Sequence, residues 1–107
     1  MTNPETVKQV EVESEIDLEE FSKSGKKPPM AKTYVIRIDK EKFRVHSPTI
    51  TGRELLQLVN KSPDRYAIVQ RLRGGQNRRI GVDEVVDLRT PGIERFMTLP
   101  LDQTEGA

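Results

Sequence analysis

The chain has no cysteine, no tryptophan, one histidine and five other aromatic residues among 107. Without cysteine there is no disulfide, no thiolate metal site and no cysteine nucleophile, and a reducing compartment fits. The single His46 has no nucleophile or carboxylate pair placed around it, so it reads as an ordinary strand residue rather than an active site. Gly74-Gly75 is followed by no strand–loop–helix pattern, which excludes a phosphate loop. No carboxylates are spaced for acid–base work. The expectation is a non-enzyme with no catalytic residue, no metal and no cofactor. No stretch approaches the roughly 20 apolar residues of a membrane span, and the acidic N-terminus lacks the apolar run of a signal peptide. The expected location is the cytoplasm, with no membrane partner.

Hydrophobic residues make up 34% of the chain and charged residues 33%, so a modest core is possible but not over the whole length. The net charge of +1 hides a segregation. Residues 1–22 carry seven acids and one base, whereas residues 32–99 carry fourteen bases and eight acids. A basic body with acidic ends can bind an acidic partner, nucleic acid or its own tail. The bases are dispersed and no nucleic-acid-binding motif accompanies them, so nucleic acid is not favoured.

Residues 32–60 organise the rest. Tyr34, Ile36 and Ile38 alternate with Val35, Arg37 and Asp39, and Phe43 and Val45 alternate with Lys42, Arg44 and His46. Both runs read as strands, and the short break between them predicts an antiparallel hairpin. Thr51-x-x-Glu54 is a capping box, with Ile50 and Leu55 placed as a hydrophobic staple, so a helix begins there. Pro63 ends it. Tyr66–Leu72 is a third strand and Gly74-Gly75-Gln76-Asn77 a turn into a short strand ending near Ile80. Val82–Leu88 reads as one helical turn capped near Asp83 followed by an extended return, and Ile93–Leu99 as the last strand. The fold class is α+β: a four- to five-stranded mixed sheet with one helix packed across it.

Three regions follow: residues 1–31, a disordered acidic tail and linker; residues 32–99, the folded domain; residues 100–107, a flexible polar tail. Within the first, Val10 and Val12 alternate with acids, and Ile16, Leu18 and Phe21 have helical spacing. Alternating apolar and acidic residues suit a linear motif that adds a strand to a basic sheet edge, and also suit a solvated tail.

The order and length of residues 32–99 resemble the β-grasp fold of ubiquitin. The phrases TYVIRID, TITGRELLQL and VDLRTPGIERFMTLP are similar to the bacterial multiubiquitin-type ubiquitin-like domains. That resemblance implies a protein modifier of a bacterial ubiquitination-like pathway, with stress or antiviral (phage) defence as its setting. The implied partners are activating and conjugating enzymes, a processing peptidase or isopeptidase, target proteins and further copies of itself. In such proteins a C-terminal glycine is activated and passed to an amine or hydroxyl. Here the tail closes on Gly106 and Ala107, with one glycine rather than two. Either Ala107 is removed to expose Gly106, or the tail is never conjugated. Arg71-Leu72-Arg73-Gly74-Gly75 reproduces the tail of ubiquitin letter for letter, but cutting there would discard Ile80, Val82, Leu88 and Phe96, so it reads as a turn.

Ubiquitin-like proteins commonly meet partners through the open sheet face. Val35, Arg37, Arg44, His46 and Arg71 are the residues expected on it, beside the plain reading of a solvated half-exposed sheet. The alternative to a modifier is a non-covalent binding or self-assembly module acting through that face and the N-terminal segment.

Overall fold

A computed structural model describes residues 13–101, in which eight strands and two short helices are present. Strand β1 (Glu13–Asp17) runs into helix α1 (Leu18–Phe21) and a 3₁₀ turn over Ser22–Ser24. Then follow β2 (Ala31–Ile38), β3 (Glu41–Val45), β4 (Thr49–Thr51), helix α2 (Gly52–Leu58), β5 (Tyr66–Leu72), β6 (Asn77–Ile80), β7 (Val85–Asp87) and β8 (Ile93–Pro100).

The predicted hairpin is β2–β3, in register from Tyr34 opposite Val45 to Ile38 opposite Glu41. Its core-facing residues Tyr34, Ile36 and Ile38 are all fully buried. The sheet continues from β2 through β8 and β5 to β6, with β2 parallel to β8 and the β5 pairs antiparallel, so it is mixed. A separate two-stranded ladder joins β4 to β7.

Helix α2 forms where the capping box places it. The Thr51 hydroxyl accepts from the Glu54 amide at 3.1 Å, and the Glu54 carboxylate accepts from the Thr51 amide at 2.9 Å. Its C-terminus closes through Asn60, which stands in the left-handed region at φ 59. Lys61 N–H reaches the Leu56 carbonyl and Asn60 N–H the Gln57 carbonyl, both at 3.0 Å, satisfying carbonyls that the helix leaves free. Leu55 and Leu56 project from α2 into the sheet, and Ile68, Leu88, Ile93 and Phe96 complete the centre of the core. Gly52 opens the helix against the loop after β6. A Cβ there would stand 2.2 Å from the Gly81 carbonyl oxygen, so only glycine fits.

Two expectations are corrected. Residues 13–30 are not a disordered linker. Ile16 and Leu18 are buried in the main core, and β1 pairs in parallel with β2, Glu15 opposite Thr33 and Ile16 opposite Tyr34. Pro28 and Pro29 are tied down as well: Arg89 Nε donates to the Pro28 carbonyl at 3.0 Å and the Tyr34 hydroxyl to the Pro29 carbonyl at 3.2 Å. The expected helical turn near Asp83 is absent. Residues 82–83 make a plain turn, because β7 is claimed by β4 and the chain must arrive extended at Val85.

Candidate partner surface

On β2 the residues between the core positions, Thr33, Val35 and Arg37, face away from α2. Their neighbours on β3 are Arg44 and Lys42, and on β1 Glu15 and Asp17. Tyr34 and Val35 are paired with both β1 and β3, so β1 lies on the edge of β2 opposite β3. Ile38 pairs with Glu41 of β3 and Phe96 of β8, so β8 lies on that same edge. The two parallel strands therefore occupy one side of β2 end to end, β1 along its first half and β8 from its last residue.

This geometry brings the acids of β1 over the bases of β3. Lys42 Nζ donates to Asp17 Oδ2 at 2.6 Å and Arg44 Nε to Glu15 Oε1 at 2.9 Å, both spanning the width of β2. Arg37 Nε donates to Glu19 Oε1 at 2.9 Å from the start of α1. Burial alone pushes the Asp17 carboxyl up, but the bond from Lys42 and the amides of Glu20 and Glu19 outweigh it and hold it below its ordinary value. The hydrogen bond to Asp17 raises Lys42 in turn, and Glu15 raises Arg44.

Of the residues expected on the open face, Arg37 and Arg44 are thus occupied within the chain, and Val35, between Asp17 and Arg44 in the register, is buried. His46 is exposed, its Nδ1 3.1 Å from the Thr33 hydroxyl. Ile16 and Leu18 serve the chain's own core, while Val10 and Val12 lie outside the described residues.

The other half of the face holds Arg71, which was expected there, beside Arg95, Met97 and Leu99, which were not. Across β5 and β8, Ala67 stands opposite Leu99, Val69 opposite Met97 and Arg71 opposite Arg95. Leu99 is 52% exposed. The two arginines are paired in the ladder, and the buried Nε atoms of both have no hydrogen-bond partner. Arg71 Nε lies 3.3 Å from Glu94 Oε1, an ion contact off the N–H axis. Arg79, opposite Val69 on β6, adds a further base. The signal in the sequence was the alternation Arg95, Met97, Leu99 on the last strand.

A second cluster sits where β8 ends. Asp39, in the left-handed region at φ 56, turns β2 into β3. Its carboxylate accepts from Thr98 N at 2.9 Å and from Thr98 Oγ1 at 2.7 Å. Lys61 Nζ donates to Thr98 Oγ1 at 2.8 Å and lies 4.7 Å from the centre of the Tyr66 ring. Burial raises the Asp39 carboxyl, but the Thr98 and Lys61 bonds prevail and keep it low. Leu101 N–H then donates to the Arg65 carbonyl at 2.7 Å. The last described residue is therefore pinned at the mouth of the tail. Gly106 and Ala107 lie outside the described residues.

Among the described residues, no group of three or more His, Cys, Asp or Glu side chains is placed to hold a metal, and no helix is long and apolar enough to cross a membrane. A helix laid across a mixed sheet, with a β-hairpin at one end and the final strand β8 parallel to β2 of that hairpin, is the ubiquitin-like β-grasp. A family model described as Multiubiquitin matches residues 34–100, and the chain belongs to that family. Domains of this class generally act as modifiers or binding modules rather than as catalysts. Comparison with curated proteins and with solved structures finds no match.

Proposed function

We propose that the protein is a ubiquitin-like modifier of a bacterial ubiquitination-like pathway, activated at Gly106 after removal of Ala107 and joined to target proteins or to other copies. The observation that carries this reading is the family match over residues 34–100, taken with the end of β8. Leu101, whose N–H donates to the Arg65 carbonyl, stands five residues before Gly106 in the sequence. A glycine suits a residue that must enter another enzyme's active site, because without a Cβ the backbone approaches closely. Activating and conjugating enzymes and a processing peptidase are the partners this reading requires.

The test is the intact mass of the protein recovered from its own host. The expected species is shorter by one alanine, accompanied by heavier adducts joined through Gly106. A full-length chain without adducts in every growth condition would remove the reading. The surface around Met97 and Leu99 supports a second one, a non-covalent module that meets an acidic, partly apolar partner. Under that reading, function survives deletion of residues 102–107.

A further inference from the structure

The N-terminal segment 13–24 has an unusual standing in the fold. It supplies Ile16, Leu18 and the partly buried Phe21 to the core and three carboxylates to the sheet face. All of these contacts run between the segment and residues 31–101. The connection between the two parts is anchored at both ends. On the segment side, Gly25 N–H donates to the Ser22 carbonyl at 3.0 Å and the Ser24 hydroxyl to the Phe21 carbonyl at 2.9 Å. On the body side, Pro28 and Pro29 are held by Arg89 and Tyr34. Between the anchors lie Gly25, Lys26 and Lys27, all exposed; the Lys26 amide still donates to the Ser24 hydroxyl at 3.1 Å, and the Arg73 guanidinium lies beside Gly25. Gly25 reverses the chain there at φ 70, and neither lysine forms an ion pair among the described residues.

We propose that this three-residue connection is a hinge and that the β1–α1 segment exchanges between two copies of the chain. When Gly25 leaves the left-handed region and the connection extends, the segment leaves its own sheet and enters the same place on a second copy, which returns its own. The interface is two-fold and self-complementary. The occupant is a second copy because the site demands a parallel strand with apolar residues at alternate core positions and acids between them. Glu15-Ile16-Asp17-Leu18 meets every part of that demand: Ile16 against Tyr34, Asp17 against Lys42, Glu15 against Arg44. Exchange conserves each of these contacts and changes only the hinge. Without an occupant, the edge of β2 from Ala31 to Val35 would present unpaired backbone groups, which a sheet edge fills from another chain when it can. A short connection sets an effective concentration for closure in the millimolar range. The monomer therefore dominates in dilute solution, and the exchanged dimer forms where copies are crowded. The inference stands apart from the modifier reading, whose residues are at the other end of the sequence.

The absence of native cysteine makes the test direct. Full chains carrying Glu15→Cys and Thr33→Cys, positions opposite each other in the β1–β2 register, are mixed while unfolded, refolded together at millimolar concentration and oxidised. The expected product is a disulfide between the two different chains, well above the yield from Glu15→Cys mixed with Asn77→Cys on the far edge strand. A second full chain lacking Lys26 and Lys27 has too short a hinge to fold back on itself. It is expected to run as a dimer by light scattering, with the segment protected from proteolysis. A mixed yield no higher than the Asn77→Cys control, or a shortened chain that stays monomeric, overturns the proposal.

Discussion

Lys42 on β3 reaches over β2 to place its ammonium 2.6 Å from the carboxylate of Asp17 on β1. Residues 25 positions apart in the chain, on strands that do not touch, are thereby tied across the strand between them. Both side chains are about one-third exposed, so the attraction is partly screened by water. In a double-mutant cycle with Asp17→Asn and Lys42→Met, the coupling between the two sites is expected to be favourable at low salt and to shrink as salt is added. Denaturant melts of the four proteins at two ionic strengths measure it. An unchanged coupling at high salt would show that the pair acts through packing instead.

Leu18 discriminates between a tail and a part of the fold. It is 2% exposed and packs in the main cluster. Leu18→Ala is expected to destabilise the whole domain by about 2–5 kcal/mol, the range for truncating a buried leucine. The urea midpoint of the global transition reports it. A midpoint equal to that of the unaltered protein would mean that the segment melts independently of the sheet.

What could be read from the sequence divides along similar lines. The hairpin, the capped helix and the Gly74-Gly75 turn were legible because each is specified by residues close in the chain: alternation in Tyr34–Val45, the Thr51–Glu54 pair, adjacent glycines. The place of β1 was not. Its seven-acid neighbourhood looks unable to fold because the compensating charges, Arg37, Lys42 and Arg44, lie 18 to 29 residues away. The three-residue strands β4 and β7 are too short to show a period, and Asp83 sits in a turn that resembles a helix start. On the candidate surface, Arg71 was foreseen, whereas the alternation of Arg95 and Met97 on the last strand gains its meaning only when β8 is seen beside β5.

Gly52→Ala tests the contact between the start of α2 and the loop after β6. The new methyl group would meet the Gly81 carbonyl oxygen and displace backbone, not a side chain. A loss of about 1–3 kcal/mol is expected, the usual cost of overpacking, although alanine is the better helix former. A calorimetric or urea melt with no loss would show that the loop yields freely.

Acid sensitivity should be traceable to Asp39 and Asp17, whose carboxyls are both held below their ordinary value in the folded protein. A depressed folded value contributes stability that is present above the unfolded value, about 3.9 for aspartate. That contribution is lost as pH falls through the folded one. Stability is therefore expected to drop as pH is lowered below about 4, and Asp39→Asn to flatten part of that dependence while reducing stability at neutral pH. Asparagine tolerates the left-handed backbone at this position, so the change removes the charge and one of the two acceptor oxygens that Thr98 uses without straining the chain. An identical pH slope in the variant would remove Asp39 as a cause.

Arg71-Leu72-Arg73-Gly74-Gly75 has one further consequence. In the fold these residues bend through a hairpin, with Leu72 N–H bonded to the Gln76 carbonyl and the glycines at φ 95 and 90. A peptidase that reads its substrate as an extended strand meets this sequence only while the hairpin is open. Cleavage after Gly75 is then governed by how often β5 and β6 part rather than by the letters themselves.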